Sequence, residues 1–412
     1  MDTMYRCCAG LDVHKETVAA CVRRVDAGGR VSKDIRTFGT MTGELLKLLD
    51  WLMAEAVEAV AMEATGVFWK PIWNILDGSV KLILANARHI KNVPGRKTDV
   101  KDCEWIAQLC QYGLVRASFV PDRPQRELRD LTRHRSQLVA EQTRVANRIH
   151  KTLEDANVKL GSVATDILGV SGQKMIRALI GGQTDPAELA ELARGRLRGK
   201  LPALREALCG HLTAHHRFML GQLMDHLEYL DRQIVQFDER IAELMAPFVH
   251  AVQRVMTIPG VGLRTAQNVL AEIGTDMGRF PTDQHLASWA AMCPGNRQSA
   301  GKRQSGRTNH GNHWLRAALG QAAWAASRSK KTYLAAQYRR LAGRRGKKRA
   351  IVALGHTILV MMYHMLRDGV DYRELGPDYL DKLQPQRLTT YLVKRLESLG
   401  HKVTLTPNDQ AA

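Results

Sequence analysis

The sequence has few cysteines, and they are not spaced as in a disulfide-rich or zinc-binding domain. Seven occur among 412 residues, an odd number, and no two form a C-x-x-C motif. This pattern argues against a disulfide framework and a zinc ribbon. A reducing compartment is expected, with each cysteine acting as a small apolar residue. His211, His215 and His216 have the spacing of helical metal ligands, but a metal site there is not predicted.

Long hydrophobic runs are also scarce. Residues 1–6 lack the apolar core of a signal peptide. The longest apolar stretch, residues 350–366, contains His356 and His364 and is shorter than a membrane-spanning helix. It predicts a buried helix instead, so no membrane partner is expected.

Acidic residues are absent from one long segment. Between Asp283 and Asp368 the chain has 84 residues with no Asp or Glu but with 16 Lys or Arg, which supply most of the formal net charge of +19. Solvated faces usually mix both signs, so this acid-free segment predicts a surface that faces phosphate. The alternative is a basic face without a ligand. Nucleic acid is the expected partner, rather than an anionic membrane.

The remaining patterns predict three domains and a tail. Residues 5–124 are expected to form an α/β domain, in which three strands precede alternating helices and strands. The predicted strands cover residues 5–11, 17–25, 31–38, 57–62 and 80–84, and the predicted helices cover residues 42–56, 67–76 and 99–112. Residues 125–250 are predicted to be helical, residues 251–370 to be basic and mainly α-helical, and residues 371–412 to form a C-terminal tail.

Two long segments of the middle region carry a heptad pattern. Residues 127–156 are charged, with apolar residues at near-heptad positions, and residues 220–248 have apolar residues at alternating gaps of three and four over four heptads. This spacing predicts a coiled-coil seam between helices. It leaves two arrangements open, an antiparallel hairpin within one chain and an interface between two chains.

Four carboxylates occupy positions typical of a metal site. Asp12 and Glu63 each directly follow an apolar strand segment, whereas Asp99 and Asp102 share one face at the start of a helix. Carboxylates that meet in space repel unless cations neutralise them, and Mg²⁺ in such a cluster supports phosphodiester chemistry. The alternative is that they are surface or helix-capping residues, Asp99 in particular.

Two regions of the C-terminal half are predicted to contact nucleic acid. Residues 256–262 form a Pro-Gly-apolar-Gly turn before a helix, which either presents backbone N–H groups to a phosphate or packs two helices tightly. Residues 294–316 combine glycines, which allow close approach, with cations that neutralise phosphate. A serine among these cations can attack a phosphodiester or simply bind phosphate. The predicted nucleic-acid ligands are Gly260, Gly262, Arg297, Lys302, Arg303, Arg307 and Arg316.

Four motifs in this order resemble those of the DEDD transposases of insertion sequences. They are Gly10-Leu11-Asp12-Val13-His14-Lys15, Met62-Glu63-Ala64-Thr65-Gly66, Thr98-Asp99-Val100-Lys101-Asp102 and the block from Ser299-Ala300-Gly301-Lys302 to Arg316. The similarity spans roughly residues 5–370. It implies a RuvC-like (ribonuclease-H-like) α/β N-terminal domain, a helical coiled-coil middle and a mainly α C-terminal transposase domain.

The resemblance also implies roles for individual residues. Asp12, Glu63, Asp99 and Asp102 match the family's four acids that bind Mg²⁺. Ser299 matches the serine that attacks DNA and forms a covalent phosphoserine link. Ser305 is the alternative nucleophile, but Ser299 is preferred because it stands three residues before the lysine of the Ser-x-Gly-Lys block, as the family serine does.

The expected function is that of a transposase that cuts and rejoins DNA. The resemblance implies donor and target DNA, a structured guide RNA encoded by the element, and a dimer or tetramer whose active site combines two protomers. A cytoplasmic, nucleoid-associated bacterial protein is expected. One alternative is a metal-dependent junction-resolving nuclease without a covalent intermediate, and another is a nucleic-acid-binding protein with a decayed site.

Overall fold

The computed structural model describes residues 3–64, 66–86, 90, 102–295, 297–299, 301–308, 311–383 and 385–406, without the side chains of residues 297–299, 303–305 and 387. The chain divides into two compact units, Met1–Pro121 and Asp122–Ala412. The α/β domain was predicted to end at residue 124, three residues beyond the end of the first unit. The finer boundaries predicted at residues 250 and 370 stay predictions.

The first unit is a five-stranded mixed sheet with helices, as predicted for an α/β domain. Its elements are β1 (Cys7–Val13), β2 (Thr17–Val25), β3 (Val31–Gly39), α1 (Thr42–Ala54), β4 (Ala59–Glu63), α2 (Trp69–Leu76), β5 (Lys81–Ala85) and α3 (Asp102–Gln111). The strand order is β3-β2-β1-β4-β5. The first three strands form an antiparallel meander, and β1, β4 and β5 are parallel.

The two faces of this sheet bury different residues of β1. Ala9, Leu11 and Val13 belong to the core formed with α1 and α2. Cys8 belongs to a second core, which includes Trp105 and other residues of α3. This alternation follows from the two-residue period of a strand, and it places Gly10 and Asp12 on the α3 face.

The second unit is mainly α-helical, as expected for the rest of the chain. Its helices are α4 (Arg123–Asp155), α5 (Leu160–Val163), α6 (Val170–Ile180), α7 (Pro186–Glu191), α8 (Leu201–Leu208), α9 (Ala214–Met245), α10 (Val249–Met256), α11 (Leu263–Ile273), α12 (Asp283–Trp289), α13 (His313–Ser327), α14 (Tyr333–Arg345), α15 (Lys347–Asp368), α16 (Tyr379–Lys382) and α17 (Pro385–Ser398). Short 3₁₀ turns cover Gly195–Lys200, Ala246–Phe248 and Met277–Arg279, and the strands are β6 (Arg297–Ser299) and β7 (Lys302–Ser305).

The two long helices α4 and α9 pack antiparallel within the chain. Arg135 Nη1 donates to Asp238 Oδ1 at 2.8 Å near one end of the pair, and His216 Nε2 lies 2.9 Å from Asp155 Oδ2 at the other. The heptad leucines Leu220, Leu223, Leu227 and Leu230 are buried against α4. Of the two arrangements left open by the sequence, the intramolecular antiparallel pair is therefore present, and a supercoil stays a prediction.

The predicted end of the second long helix was wrong by three residues. The heptad was extended to Phe248, but α9 ends at Met245 and a 3₁₀ turn follows. Pro247 has no backbone N–H and cannot continue the α-helix. Phe248 is consequently 39% exposed and does not join the buried seam.

The longest apolar stretch forms α15, a helix of the second unit. Among the described residues it is the one helix long and apolar enough to cross a membrane. Half of its most apolar 18-residue stretch is buried in the protein. Tyr363 Oη donates to the backbone O of Phe280 at 3.0 Å, and Gly355 lies against Leu319 of α13. These contacts are those of the buried helix predicted for this stretch.

Candidate active site

Two of the predicted metal ligands stand side by side at one edge of the first unit's sheet. Asp12 and Glu63 lie in β1 and β4, neighbouring parallel strands in which Leu11 pairs with Met62. The next residue of each strand is therefore an acid. Since side chains alternate along a strand, both acids point to the face that packs against α3. Both are half-buried.

Gly10 brings the start of α3 to the same face. A Cβ atom at Gly10 would lie 2.2 Å from the backbone N of Ala107 and 2.3 Å from the backbone O of Cys103. The helix therefore packs directly on β1, which is possible because glycine has no side chain. Asp102 is exposed and precedes Cys103 at the N-terminus of α3, so the fold carries it toward the face of Asp12.

The described acids do not by themselves form a complete set of metal ligands. Within the described residues no three His, Cys, Asp or Glu side chains are grouped closely enough to hold a metal ion. Asp12 Oδ2 lies 3.2 Å from His14 Nε2. Asp99 falls outside the described residues, so a shared site for all four acids stays a prediction.

Ser299 lies next to the turn of a short hairpin, residues 297–305, which we call the serine hairpin. Ser299 pairs with Lys302 across the turn, where Gly301 has a φ of +74°. Ser305 pairs with Arg297 at the other end of the hairpin. Two-residue hairpin turns need positive φ angles, which glycine adopts without strain. The backbone thus places the two candidate serines at opposite ends, although their side chains lie outside the described part.

The base of the serine hairpin is anchored to the helices. Pro294 and Thr308 form an antiparallel bridge. Arg316 of α13 is half-buried, and its Nη2 donates to Thr308 Oγ1 at 3.4 Å. A Cβ atom at Gly311 would lie 2.4 Å from the Cβ of Ala291, just beyond α12. Arg316, a predicted phosphate ligand, therefore also holds the hairpin base.

The other predicted nucleic-acid ligands differ in their surroundings. Lys302 and Arg307 are exposed. The side chains of Arg297 and Arg303 lie outside the described part of the chain.

Gly260 and Gly262 have different environments in the predicted phosphate-binding turn. Gly260 has a φ of +91°, and a Cβ atom there would lie 2.4 Å from the backbone N of Ala326 in α13. Glycine is therefore needed at position 260 because the turn packs tightly against α13. Tight packing of two helices was the alternative to phosphate binding predicted for this turn. Gly262 is exposed at the N-cap of α11 and has open space around it. Of the two, Gly262 is the one with room for a ligand.

A cavity of about 1210 Å³ lies beside the hairpin base. Its charged lining residues are Arg307, Arg345, Lys348 and Arg349, and its apolar lining includes Met292, Leu341, Val352 and Ala353. His356 also lines it, and the buried His356 Nδ1 has no hydrogen-bond partner among the described residues. No acid is among the described lining residues.

Sequence reasoning missed three of these cations. Arg345, Lys348 and Arg349 belong to a run in which five of the six residues 344–349 are Lys or Arg. That density within the acid-free segment was the available signal. Nothing in the sequence pattern indicated that the end of α14 and the start of α15 would face the hairpin base.

Two family models match the chain where these features lie. A model for IS110-type DEDD transposases matches residues 9–158, and a model for transposases of the IS116/IS110/IS902 family matches residues 252–339. Together they cover more than half of the chain. The first region contains all four acids, and the second contains Ser299.

The similar proteins include products of insertion elements. A 43.6 kDa protein of insertion element IS110 from Streptomyces coelicolor is 28% identical over 71% of this chain and 76% of its own length. The transposase for insertion sequence element IS1111A from Coxiella burnetii is 24% identical over 88% of this chain and 90% of its own length. The pilin gene-inverting protein of Moraxella bovis is 29% identical over 40% of this chain and 51% of its own length.

The matched family regions, the related transposase and the ordered motifs agree with one another. The chain belongs to the IS110-type family of DEDD transposases, and it is the DNA transposase of an insertion sequence.

Proposed function

We propose that this transposase cuts and rejoins DNA through Ser299, with Mg²⁺ held by Asp12, Glu63, Asp99 and Asp102. The observation that carries the proposal is the pairing of two features within the matched family regions. One is an acid near the C-terminal end of each of two neighbouring parallel strands. The other is a serine beside the turn of a hairpin in the acid-free segment.

We infer that the first unit is RuvC-like, that is, ribonuclease-H-like. An antiparallel meander of three strands continued by two parallel strands supports this inference. The position of the acids supports it further, because they stand at the edge where parallel strands end. In such sheets ligands bind beyond the carboxyl ends of the strands.

The acids of the first unit suit a hard divalent cation. Carboxylate oxygens are preferred ligands of Mg²⁺. Among the described residues, no Lys or Arg pairs with Asp12 or Glu63, so their charges are available to a metal ion. Mg²⁺ bound there would neutralise the negative charge that develops on a phosphodiester during its cleavage.

The serine step replaces one phosphodiester bond by another, so no bond is lost to water. Ser299 Oγ forms a bond to the DNA phosphorus while the bond from phosphorus to a deoxyribose oxygen breaks. The serine hydroxyl loses a proton, and the leaving oxygen takes one up. A DNA hydroxyl then attacks the phosphoserine link, which rejoins the DNA and returns the serine hydroxyl. Exposed cations such as Lys302 stabilise the negative charge on the phosphate oxygens in both steps.

The cavity beside the hairpin base is proposed to bind the DNA backbone. Arg345, Lys348 and Arg349 supply positive charge, and no acid among the described lining residues offsets it. Phosphate contacts position a protein on nucleic acid without reading its bases. We therefore propose that sequence choice comes from a structured RNA encoded by the element. Sequencing RNA that copurifies with the transposase tests this, and recovery of only unrelated cellular RNA contradicts it.

The proposed active site combines two protomers of a dimer or tetramer. Mixing Asp12→Asn protein with Ser299→Ala protein tests this arrangement. A composite site has one acid set and one serine intact, so the mixture should recombine DNA where each variant alone does not. Two inactive proteins that stay inactive when mixed would place each site within a single protomer.

The nucleophile is tested by trapping a covalent protein–DNA adduct. DNA with the native flanks of the gene, Mg²⁺ and flank-derived RNA are supplied, and products are separated under denaturing conditions. Wild type and Ser305→Ala should form the adduct, whereas Ser299→Ala should not. An adduct that persists in Ser299→Ala but disappears in Ser305→Ala would transfer the role to Ser305. Cleavage without any adduct would instead favour the metal-dependent junction-resolving nuclease.

The metal proposal has a readout that does not depend on activity. Mg²⁺ should raise the melting temperature of the full-length protein, because it binds the folded acids. Asp12→Asn and Glu63→Gln should remove this increase, and Asp50→Asn, which neutralises an exposed acid of α1, should retain it. An equal Mg²⁺ effect in all four proteins would refute the site.

A further inference from the structure

Glu272, at the C-terminal end of α11, is a buried acid with several partners. It is 1% exposed. Arg133 Nε donates to its Oε1 at 2.7 Å, and Arg133 Nη2 donates to its Oε2 at 2.8 Å. Arg129 Nε lies 3.4 Å from Oε2, and burial lowers the pKa of Arg129 to about 10, so that it stays charged at neutral pH. A buried carboxylate is tolerated when it is paired in this way.

A fourth contact connects this acid to a helix cap. Asn312 Nδ2 donates to Glu272 Oε2 at 2.6 Å. Asn312 Oδ1 accepts from the backbone N–H groups of Trp314 and Leu315 at 3.0 and 3.1 Å, which caps the N-terminus of α13. An amide supplies a donor and an acceptor at once. Asp and Ser also cap helices well, but an ionised Asp cannot donate and a Ser side chain is shorter.

Asn312 also ends the segment that leaves the serine hairpin. Thr308 is bridged to Pro294, and Gly311 packs against Ala291. The hairpin base therefore lies between the end of α12 on one side and the Asn312 cap on the other. Through Glu272 and Arg133, this cap is connected to the long helix α4.

We propose that Glu272 and Asn312 are positioning residues that hold the base of the serine hairpin in its reactive orientation. The proposal rests on the proposed role of the hairpin in catalysis. Neither residue touches DNA in this role. Their hydrogen bond fixes where the hairpin leaves the helices, and a displacement of about 1 Å at a reacting group can reduce its rate about 100-fold.

Two substitutions at Asn312 separate capping from positioning. Asn312→Asp keeps the cap but sets a carboxylate against that of Glu272, and Asn312→Ser keeps the cap but is too short to reach Glu272. Both should reduce recombination of DNA carrying the native flanks, by about 100-fold for the Asp variant. The melting temperature of Asn312→Ser and the affinity of both variants for the same DNA should stay near those of wild type, whereas the paired carboxylates of Asn312→Asp should lower its melting temperature. Wild-type recombination by Asn312→Ser would overturn the proposal.

A double substitution tests the hydrogen bond itself. Glu272→Gln alone leaves the buried Arg129 and the partly exposed Arg133 without their carboxylate, and it should be as impaired as Asn312→Asp. Combined with Asn312→Asp, it exchanges the amide and the carboxylate, so a donor again faces an acceptor across this contact, whereas Arg133 Nη2, which donates to the same Oε2, loses that acceptor as it does in Glu272→Gln alone. The double variant should recombine DNA at least tenfold faster than the less active of the two single variants. A double variant no better than that single variant would refute positioning through this bond.

The design separates this inference from the identity of the nucleophile. Recombination is measured in a background with both serines intact, so the pattern among the Glu272 and Asn312 variants does not assume which one attacks. If Ser299→Ala stayed active while the exchange variant rescued recombination, the nucleophile would be wrong and the positioning bond would stand. If Ser299→Ala were inactive and the exchange failed, the reverse would hold.

Discussion

At the scale of single residues, the positions of the acids depend on one glycine. Gly10 lets α3 lie against β1, and Asp12 follows it by two residues on the same face. A methyl group at Gly10 would meet backbone atoms of Ala107 and Cys103, which cannot rotate away as a side chain can. The closeness of α3 and β1 is therefore sensitive to the smallest possible substitution.

Gly10→Ala should destabilise the protein and weaken its response to Mg²⁺. Overpacking of this kind costs about 1–3 kcal/mol, because the helix has to move away from the strand. Urea denaturation of the full-length chain measures the loss, and Mg²⁺-dependent melting measures the metal response. Gly43→Ala is the matched control, since a Cβ atom at this α1 position meets nothing within 4 Å. Equal stability of both variants would contradict the close packing at Gly10.

The cysteines give a second prediction at this scale. All seven are free thiols, and Cys21 is buried whereas Cys209 is exposed. Burial raises the pKa of Cys21 to about 12, and the thiolate is the reactive form. Alkylation at pH 8 followed by mass spectrometry should modify Cys209 quickly and leave Cys21 unmodified until the protein is unfolded. Labelling of both at similar rates in the native protein would show that the sheet around Cys21 opens readily.

At the scale of elements, local periodicity predicted more than long-range pairing. The strand at residues 17–25 was predicted with its observed bounds, whereas β1 was predicted two residues too early, at residues 5–11. The strand continues because Asp12 and Val13 pair with β2, and a partner strand is not visible in a hydrophobic run. Likewise, the heptad predicted that two helices pair, but not that they pair within one chain.

The site shows the same division between local and distant information. The sequence could single out Asp12 and Glu63 because each follows an apolar strand, and Ser299 because a motif surrounds it, and their roles stay predictions. The contact of Arg133 with Glu272 joins residues 139 positions apart, and that of Asn312 with Glu272 joins residues 40 positions apart. Neither pair leaves a signal in sequence spacing, so the anchoring of the serine hairpin could not be predicted.

Arg135 should be the most costly arginine to truncate in the helix pair. It is 1% exposed, and its guanidinium donates to Asp238 of α9 and to Gln267 and Asn268 of α11. Arg135→Ala removes these bonds and leaves the buried oxygen of Gln267 without this donor, while Asp238 keeps its pair with Arg264, so it should cost about 1–3 kcal/mol of unfolding free energy.

The control for this prediction lies on the same helix. Arg144 pairs with Glu141 on the surface, where its side chain is 63% exposed, so Arg144→Ala should cost less than about 1 kcal/mol. Urea denaturation of both variants provides the comparison. Similar losses would mean that Arg135 contributes no more than a surface ion pair.

At the scale of the whole molecule, charge is distributed very unevenly. The acid-free segment of 84 residues holds most of the net charge, and the whole segment lies in the second unit. The acids proposed to bind metal lie in the first unit. The cations of the second unit therefore attract a polyanion such as DNA. The carboxylates of the proposed metal site repel it until cations neutralise them.

Nucleic-acid binding should therefore depend on salt through the cations of the second unit. Each phosphate that a protein neutralises contributes about −0.9 to the slope of log binding constant against log salt concentration on duplex DNA. Replacing Arg345, Lys348 and Arg349 together by Gln should reduce the magnitude of that slope by about 2–3 and weaken binding at every salt concentration. Fluorescence anisotropy with duplex DNA carrying the native flanks measures both quantities.

A control with the same change in net charge decides whether the cavity or the overall charge is responsible. Arg144, Arg148 and Lys151 are exposed on α4, and replacing all three by Gln removes as many charges from a different surface. If the cavity holds the DNA backbone, this control should keep the wild-type slope, because the slope counts phosphates in contact rather than distant charge. Equal reductions in the two triple variants would mean that DNA is attracted by the total charge and that the cavity beside the hairpin base is not its binding site.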